Sequence, residues 1–374
     1  MRHFFGQFSL SEVNNRLGNN VTEYLTHQNN LQSNVVVSPF GLLSMVVPLI
    51  IGSEGETLRE LCNILKISTR ELSLLLNKFI EMNNKFADEN NPIEVFNLMV
   101  SRNSIIIEKQ YLKMIEPFCL HRYFAINNLA ILHEIINEHV ELKTNGAIKK
   151  ILEASDINEE TLFVLVNTIH LKSKWAEPFT VENTLEKDFF GLKGKRTENM
   201  MHHYRESFMY SETDTMQILQ MPYSDERYSF TVVLPREITS EPIILDYSTV
   251  LNILRTCSEC KVNVILPKFT EESEVDMIPY FKSNGATSLF NDLKIPYMTT
   301  NNERKHLTVI RQKIKIQIDE TGSEASSATV AVCTFESCMP YDSKPKPCPM
   351  FNANHPFTYY ISYNDVVLFS GIYV

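Results

Sequence analysis

The sequence predicts an α+β fold, with most of the helices in the first half of the chain and most of the strands in the second. Residues 8–28 place apolar side chains on one face of a helix, and residues 56–86 continue with further helices. Residues 162–171 form a near-continuous apolar run, which is typical of a strand buried on both faces of a sheet. Residues 357–361 and 366–373 predict two strands that close the chain.

The remaining elements follow the same periodicities. A long strand at residues 309–318 carries isoleucines at alternate positions, and strand patterns dominate residues 216–267. The other predicted elements, in chain order, are a buried helix at 41–51, a strand at 95–107, a helical segment at 131–151 with residues 144–148 at the exit of the helix, a helix near 249–256 and a helix at 277–284.

A stretch of small residues at 320–337, ETGSEASSATVAVCTFES, follows the long strand. Small side chains cost little entropy to order and can enter a crowded sheet without clashes. Strand alternation would place one set of them on a single face: Ser323, Ala325, Ser327, Thr329 and Ala331. A solvated surface loop is the plainer interpretation. The stretch runs on into Val330-Ala331-Val332, which prefers strand, so it can be an exposed loop that later becomes a strand.

The length and the net charge of the chain limit the classes of function that it can have. A chain of 374 residues ordinarily suggests two or three domains, yet no linker, low-complexity tract or repeat divides it. The formal net charge is −10 and the acidic excess is spread along the chain, which argues against a nucleic-acid or anionic-membrane surface. No apolar run reaches transmembrane length, and no signal-peptide apolar region follows Met1.

The sequence offers no convincing enzyme site. It contains no Gly-x-Ser-x-Gly motif, and His133-Glu134 lacks a second histidine one helical turn on, where Asn137 stands. The Cys-x-x-Cys at 257–260 has no second pair at zinc spacing, and the histidine pair at 202–203 has no carboxylate at ligand spacing. We therefore predict no enzyme activity, no metal and no cofactor.

Several short motifs recur along the chain in a fixed order. They are NVVVSP at 34–39, Gly55 and Thr57, the run 161–179 that contains Trp175, MPY at 221–223, VLP at 233–235, LPKF at 266–269, NHPF at 354–357 and LFSG at 368–371. Each motif alone is weak, but their order and spacing together are very specific. Over nearly its whole length the chain resembles the serpin family of protease inhibitors.

The resemblance implies one domain at 1–374, with about nine helices packed on three β-sheets and an exposed reactive-centre loop at about 320–350. It implies a metastable suicide substrate of a serine protease, which would be trapped when the cut loop inserts into the main β-sheet. A non-inhibitory carrier, chaperone or storage role stays open. So does inhibition of a cysteine protease.

By the same resemblance, the small-residue stretch is the hinge of this loop. Its predicted members are Glu320, Gly322, Ser323, Glu324, Ala325, Ser326, Ser327, Ala328 and Thr329. Counting from Glu320 with the family's usual loop length places the scissile bond at Glu336-Ser337. A loop one residue shorter places it at Phe335-Glu336, which would suit a chymotrypsin-like protease rather than one specific for acidic residues.

The resemblance also implies a latch that keeps the main sheet closed. Its predicted members are Trp175, Lys268 and Glu320 at the top of the sheet, with a Lys268–Glu320 ion pair, and Ser38, Asn167 and Gln312 lower down. Gly41 stands where the family usually has a second serine, and Gln312 where it usually has histidine. Gln312 can still donate and accept hydrogen bonds, so the network can be rewired rather than lost.

The predicted partner is one target protease bound by a monomer, without nucleic acid or membrane. Lys78 and Lys85 lie among Glu81, Asp88 and Glu89, so we predict no activation by heparin. The family resemblance favours an extracellular protein, although a signal peptide is absent from this sequence, and a cytoplasmic location is the alternative.

Three of the seven cysteines crowd into the loop region: Cys333, Cys338 and Cys348. In an extended chain Cys333 and Cys338 would lie roughly 16 Å apart, whereas a disulfide needs Cα atoms within about 7 Å. A bridge between these two would force a turn and span either scissile bond, which would block insertion. We predict that any native bridge is Cys338–Cys348, with free thiols in a reducing cytoplasm as the alternative.

Overall fold

The structure is a computed structural model that describes residues 8–88, 91–238, 241–299, 305–323 and 348–374. The α-helices within these ranges are α1 (Leu10–Asn29), α2 (Pro39–Gly52), α3 (Gly55–Leu65), α4 (Leu72–Phe86), α5 (Lys109–Ile115), α6 (Leu132–Lys143), α7 (Tyr247–Leu254), α8 (Ile278–Ser283) and α9 (Ser288–Asn291). The strands in the same ranges are β1 (Val35–Val37), β2 (Ile93–Arg102), β3 (Leu120–Phe124), β4 (Phe163–Leu171), β5 (Ser173–Lys174), β6 (Leu185–Gly191), β7 (Gly194–Glu212), β8 (Met216–Pro222), β9 (Tyr228–Pro235), β10 (Glu259–Pro267), β11 (Phe269–Asp276), β12 (Val309–Ile318), β13 (Gly322–Ser323), β14 (Met350–Asn352), β15 (Phe357–Tyr363) and β16 (Val366–Tyr373).

Serine caps start the first two helices. Ser9 accepts a hydrogen bond from the backbone N–H of Glu12 at 3.3 Å, and Ser38 accepts one from the N–H of Gly41 at 3.0 Å. Pro39 occupies the first turn of α2, where its missing N–H leaves no helical bond unmade. Helix α2 is almost entirely buried and packs against β4 and β16, so it lies in the core between the two sheets.

Helix α6 ends at Lys143, just before residues 144–148, which were predicted as the exit of this helix; residues 149–151 are not helical, so the predicted range 131–151 is too long. The Thr144 hydroxyl donates to the carbonyl of Val140 at 2.9 Å and accepts from the N–H of Ile148 at 3.1 Å. Asn145 then adopts a left-handed φ of 50°. These side-chain bonds replace the helical ladder and turn the chain away from the helix axis.

The larger sheet has nine strands among the residues described. Their order is β1-β16-β15-β9-β8-β7-β10-β14, and β6 pairs with β7 at one side. The buried strands β15 and β16 sit between β9 and β1, with Thr358 opposite Val233 and Val35 opposite Ile372. The two strands predicted at the end of the chain are therefore interior strands of this sheet.

Strand β7 runs through two groups of strands and joins them into the single larger sheet. It is 19 residues long, pairs with β6 and β10 along most of its length, and pairs with β8 only at its end, from Met209 to Glu212. Two of the three expected sheets are thus joined by one continuous strand. Nine α-helices within the described ranges agree with the expected number.

The smaller sheet has seven strands in the described ranges and contains the predicted functional elements. Its order is β3-β2-β4-β12-β13-β5, and β11 also pairs with β12. All nine residues of β4 are buried, in agreement with the apolar run that predicted this strand. Strands β4 and β12 are parallel and paired from Val164–Val309 to Ile169–Ile314. We call this line of pairing the seam.

A broad apolar core fills the space between the two sheets and around α1 and α2. A second cluster packs α6 against the outer face of β2 and β4. No helix in the described ranges combines the length and apolar character needed to cross a bilayer.

Candidate functional site: the hinge and the seam

The first hinge residues lie inside the smaller sheet. Strand β13 is antiparallel to both neighbours, with Ser323 opposite Ile318 of β12 and opposite Ser173 of β5. Ser323 is only 2% exposed. Its hydroxyl lies 2.6 Å from the Tyr223 hydroxyl, so the first polar side chain of the hinge is both buried and hydrogen-bonded.

Gly322 fits a position that no larger residue can occupy. Its φ is 151°, and a β-carbon built on it would lie 2.0 Å from the carbonyl oxygen of Ser173. The chain therefore passes through the narrow gap beside β5 only because residue 322 has no side chain.

Glu320 is anchored immediately before the hinge enters the sheet. Its carboxylate accepts from the Lys268 ammonium at 2.7 Å and from the Thr184 hydroxyl at 2.8 Å, and the residue is 5% exposed. Burial acts to raise the pKa of Glu320, but the hydrogen bonds from Lys268 and Thr184 outweigh it and hold this pKa below the ordinary value. Glu320 is thus a charged, fully hydrogen-bonded carboxylate at the top of the sheet.

Trp175 holds the backbone on both sides of Glu320. Its indole N–H donates to the carbonyl of Asp319 at 2.8 Å, and its backbone N–H donates to the carbonyl of Thr321 at 2.9 Å. Its ring stacks on Tyr223 with 4.6 Å between ring centroids and 11° between planes. The structure therefore brings Trp175, Lys268 and Glu320 together.

The lower predicted residues meet across the seam. Gln312 of β12 donates to the side-chain oxygen of Asn167 on β4 at 3.0 Å. The same amide accepts from the backbone N–H of Ser38 at 2.9 Å and donates to the Ser38 carbonyl at 3.1 Å. One side chain therefore ties both strands of the seam to the start of α2, and the Ser38 hydroxyl caps that helix through Gly41.

Two members of this network, Asn97 and Ser44, were not predicted from the sequence. Asn97 of β2 accepts from Asn167 and from Ser44 of α2, each at 2.8 Å, and donates to the carbonyl of Phe118 at 2.8 Å. Both Asn97 and Ser44 are single polar residues in otherwise apolar segments of buried elements. That isolation was the one signal available, because a buried polar side chain needs a partner.

The network contains no group that ionises near neutral pH. Its side chains are hydroxyls and carboxamides, from Ser38, Ser44, Asn97, Asn167 and Gln312. These five side chains therefore carry no charge that changes between pH 5 and 8.

The rest of the predicted site lies outside the described residues. This applies to hinge residues 324–329, to both candidate scissile bonds at Phe335, Glu336 and Ser337, and to Cys333 and Cys338. Cys348 is described, and its thiol donates to the carbonyl of Lys261 at 2.9 Å. Beyond it, β14 runs parallel to β10 and anchors the far end of the loop region in the larger sheet.

The candidate enzyme motifs do not assemble into a site among the described residues. Cys257 and Cys260 are free thiols, and the Nε2–H of His203 donates to the carbonyl oxygen of Glu177 at 2.9 Å. The described ranges contain no group of three or more histidine, cysteine or acidic side chains placed to hold a metal ion.

A family model described as serpin, serine protease inhibitor, matches residues 12–374 of the chain. The chain belongs to the serpin family. The predictions of this family and of an α+β serpin fold are therefore confirmed. The family is described as serine protease inhibitors, and its members are in general inhibitors rather than enzymes.

Individual relatives support the assignment over the full length of the serpin. Antichymotrypsin-2 of Bombyx mori is 26% identical over 365 residues, covering 92% of this chain and 93% of the relative. A structure of native protease nexin-1 with heparin is 25% identical, covers 97% of this chain and 98% of the other, and gives a TM-score of 0.84. A structure of human thyroxine-binding globulin, 21% identical with 97% coverage of both chains, gives a TM-score of 0.86 and so shares the fold.

Proposed function

We propose that this serpin is a suicide inhibitor of a serine protease, one domain in extent, and that its loop inserts along the seam after cleavage. The observation that carries the proposal is the position of Ser323. This residue already occupies the top of the smaller sheet as an antiparallel strand beside β12, with its side chain buried. Insertion would extend a strand whose first two residues are in place.

The register of β13 defines where the rest of the hinge would go. Continuing the pairing of Ser323 with Ile318 sets Ala325 opposite Ile316, Ser327 opposite Ile314 and Thr329 opposite Gln312. These β12 side chains are the buried ones of that strand. The small side chains of the hinge would therefore face the core, while the long Glu324 side chain would face outward.

The energetics favour insertion despite the cost of opening the seam. The inserting strand would break one line of parallel pairing between β4 and β12 and form two antiparallel lines. Each additional ladder hydrogen bond contributes about 1 kcal/mol net, so a dozen would supply roughly 10 kcal/mol, which is comparable to the stability of an ordinary domain.

The chemistry of trapping belongs to the protease. Its catalytic serine would attack the carbonyl of Glu336, or of Phe335, and release the amine of the next residue, which leaves an acyl-enzyme ester. Insertion of the hinge would then carry the acylated protease away from the loop before water completes the reaction. The target would be a protease specific for acidic residues in the first case and a chymotrypsin-like one in the second.

A protease panel tests the proposal. The serpin is incubated with chymotrypsin-like and glutamate-specific serine proteases, and a complex that survives denaturing electrophoresis is the expected result. Ala325→Arg should be cut without forming the complex, because insertion opposite Ile316 would bury an unpaired charge. Ser258→Arg, at an exposed position, is the matched control and should inhibit like the parent.

Full inhibition by Ala325→Arg would contradict insertion along the seam. Mass spectrometry of the small fragment released with the trapped protease identifies the bond. A cut after Lys344 or Lys346 would exclude both proposed scissile bonds.

Two alternatives are separated by the same panel. A serpin that is cut by every protease and traps none would be a non-inhibitory carrier, chaperone or storage protein. Thyroxine-binding globulin, which has the same fold, is the reason to test this class. A complex that forms only with a thiol protease would identify a cysteine-protease inhibitor.

We also propose that heparin does not activate this serpin, although the similar nexin-1 structure was determined with heparin. The basic residues of α4 are paired with an acidic neighbour: Glu81 lies 3.0 Å from the Lys78 ammonium and 3.6 Å from that of Lys85. These pairs leave α4 without the excess positive charge that a polyanion would need.

A further inference from the structure

A cavity of about 200 Å³ lies between α6 and the edge of the smaller sheet, far in sequence from the hinge. Its walls come from β2, β3 and α6. The floor is apolar and consists of Leu98, Val100, Phe124, Leu132 and Ile136, all of them buried. The cavity therefore offers a preformed apolar surface at the margin of the second core cluster.

The rim of this cavity exposes large apolar side chains to water. Tyr123 is 48% exposed and Ile135 is 45% exposed, and both line the opening. Nearby in the chain, Ile126 and Ile131 are 56% and 48% exposed. Exposed apolar side chains concentrated around one opening mark a surface that gains free energy when something covers it.

One end of the opening carries nitrogen donors. The exposed guanidinium of Arg122 and the imidazole of His139 both line the cavity. The Nε2 atom of His139 is buried and has no hydrogen-bond partner, and the ring lies 5.8 Å from that of Phe96. A buried ring nitrogen without a partner costs free energy, which a ligand oxygen would recover after a small rotation of the ring brings Nε2 to the surface of the cavity.

The neighbouring charges determine which sign of charge a ligand should carry. Burial, then the positive charges of Arg122 and Lys143, lower the pKa of His139, so the imidazole is neutral at pH 7 and can present an N–H. None of the carboxylates of α6 lines the cavity. In a chain of net charge −10 this end of the opening is locally positive and suits an anion.

We propose that this cavity binds a small amphiphilic carboxylate, with its apolar tail on the floor and its carboxylate between Arg122 and His139. The volume supports this size class, since a cavity of about 150 Å³ lined by similar side chains accommodates benzene, and 200 Å³ with an open side accommodates a tail of six to eight carbons. Arg122 and the imidazole N–H would each donate to the carboxylate, which makes hydrogen bonds of the stronger, charge-assisted kind. The site is separate from the hinge and does not rest on the inhibitory function.

Calorimetric titration with octanoate tests the proposal, with 1-octanol as a probe of equal tail length that lacks the charge. Saturable 1:1 binding of octanoate is expected. Arg122→Gln should weaken octanoate about tenfold and leave octanol unchanged, because it removes one charge-assisted bond. Arg70→Gln, at another exposed arginine, is the control.

Ile135→Asp is a second variant, and it tests whether the apolar tail of the ligand packs against the rim of the cavity. It places a carboxylate at the rim on an exposed position, so the fold should tolerate it, and it should weaken both probes about tenfold or more. Ile126→Asp, equally exposed but outside the lining, should behave like the parent. Absence of saturable octanoate binding, or equal effects of each variant and its control, would overturn the proposal, whatever the protease panel shows.

Discussion

Gly41 lies so close to Asn167 that a β-carbon built on the glycine would be 2.3 Å from the Asn167 side-chain oxygen. The same β-carbon would be 2.8 Å from the amide nitrogen of Gln312. The side chain that replaces the family's usual histidine therefore reaches into space that a serine at position 41 would fill. Glycine at position 41 therefore leaves room for the side chains of both Asn167 and Gln312.

Gly41→Ser should destabilise the uncleaved serpin. The added side chain would push Asn167 and Gln312 apart and disrupt the bonds across the seam, at a cost of about 1–3 kcal/mol, typical of overpacking. Urea unfolding followed by the fluorescence of Trp175 measures the change. In a Gln312→Ala background the penalty of Gly41→Ser should be smaller, because one of the two close contacts is gone. Equal penalties in both backgrounds would contradict the coupling.

Tyr223→Phe should destabilise the uncleaved form by about 1–3 kcal/mol. The variant removes the partner of the buried Ser323 hydroxyl and keeps the ring that stacks on Trp175. Thermal unfolding gives the difference, and Tyr297→Phe, at an exposed tyrosine, should leave the midpoint unchanged. If both variants melt with the parent, the Tyr223–Ser323 bond does not stabilise the hinge.

Glu320→Gln should remove a pH-dependent part of the stability. Because the pKa of Glu320 is lower in the folded chain than its ordinary value of 4.5, the anion stabilises the fold above that value, and this stabilisation disappears as the pH falls through the folded pKa. The parent should therefore unfold at a higher temperature than the variant at pH 7, and the gap should close below about pH 4. A gap that stays constant from pH 7 to pH 3 would contradict the assignment.

Cleavage of the loop by a protease that is not trapped should raise the melting temperature by more than about 10 °C, since a new interior strand would replace the single line of pairing at the seam. Calorimetry before and after nicking measures it. Nicked Ala325→Arg should gain much less. An unchanged midpoint in the nicked parent would favour the non-inhibitory alternative.

The regular strands were accessible from the sequence, because alternation and apolar runs encode them directly. The isoleucines of β12 and the apolar run of β4 predicted both strands of the seam correctly. The end of α6 was predicted only as an exit within residues 144–148. The helix stops at Lys143, where the side-chain hydrogen bonds of Thr144 replace the helical ladder, and a sequence does not show which of these bonds form.

The site was accessible only in part. The family resemblance named Glu320 and Lys268, which the structure places 2.7 Å apart. It could not supply Asn97 and Ser44, because a sequence does not say which distant residue satisfies a buried polar group. The space around Gly41 was likewise beyond the sequence, since it depends on the positions of two side chains from other elements.

The strand order of the larger sheet has a consequence for biosynthesis. Strand β1 is among the first elements to leave the ribosome, and it pairs with β16, which is among the last. Strand β9 likewise cannot pair with β15 until β15 has been synthesised. At 5–20 residues per second, the apolar faces of α1, α2 and β1 stay without their partners for some tens of seconds while the rest of the chain is made. These faces are therefore exposed to aggregation during translation, and the larger sheet can be completed only when the strands at 357–373 have emerged.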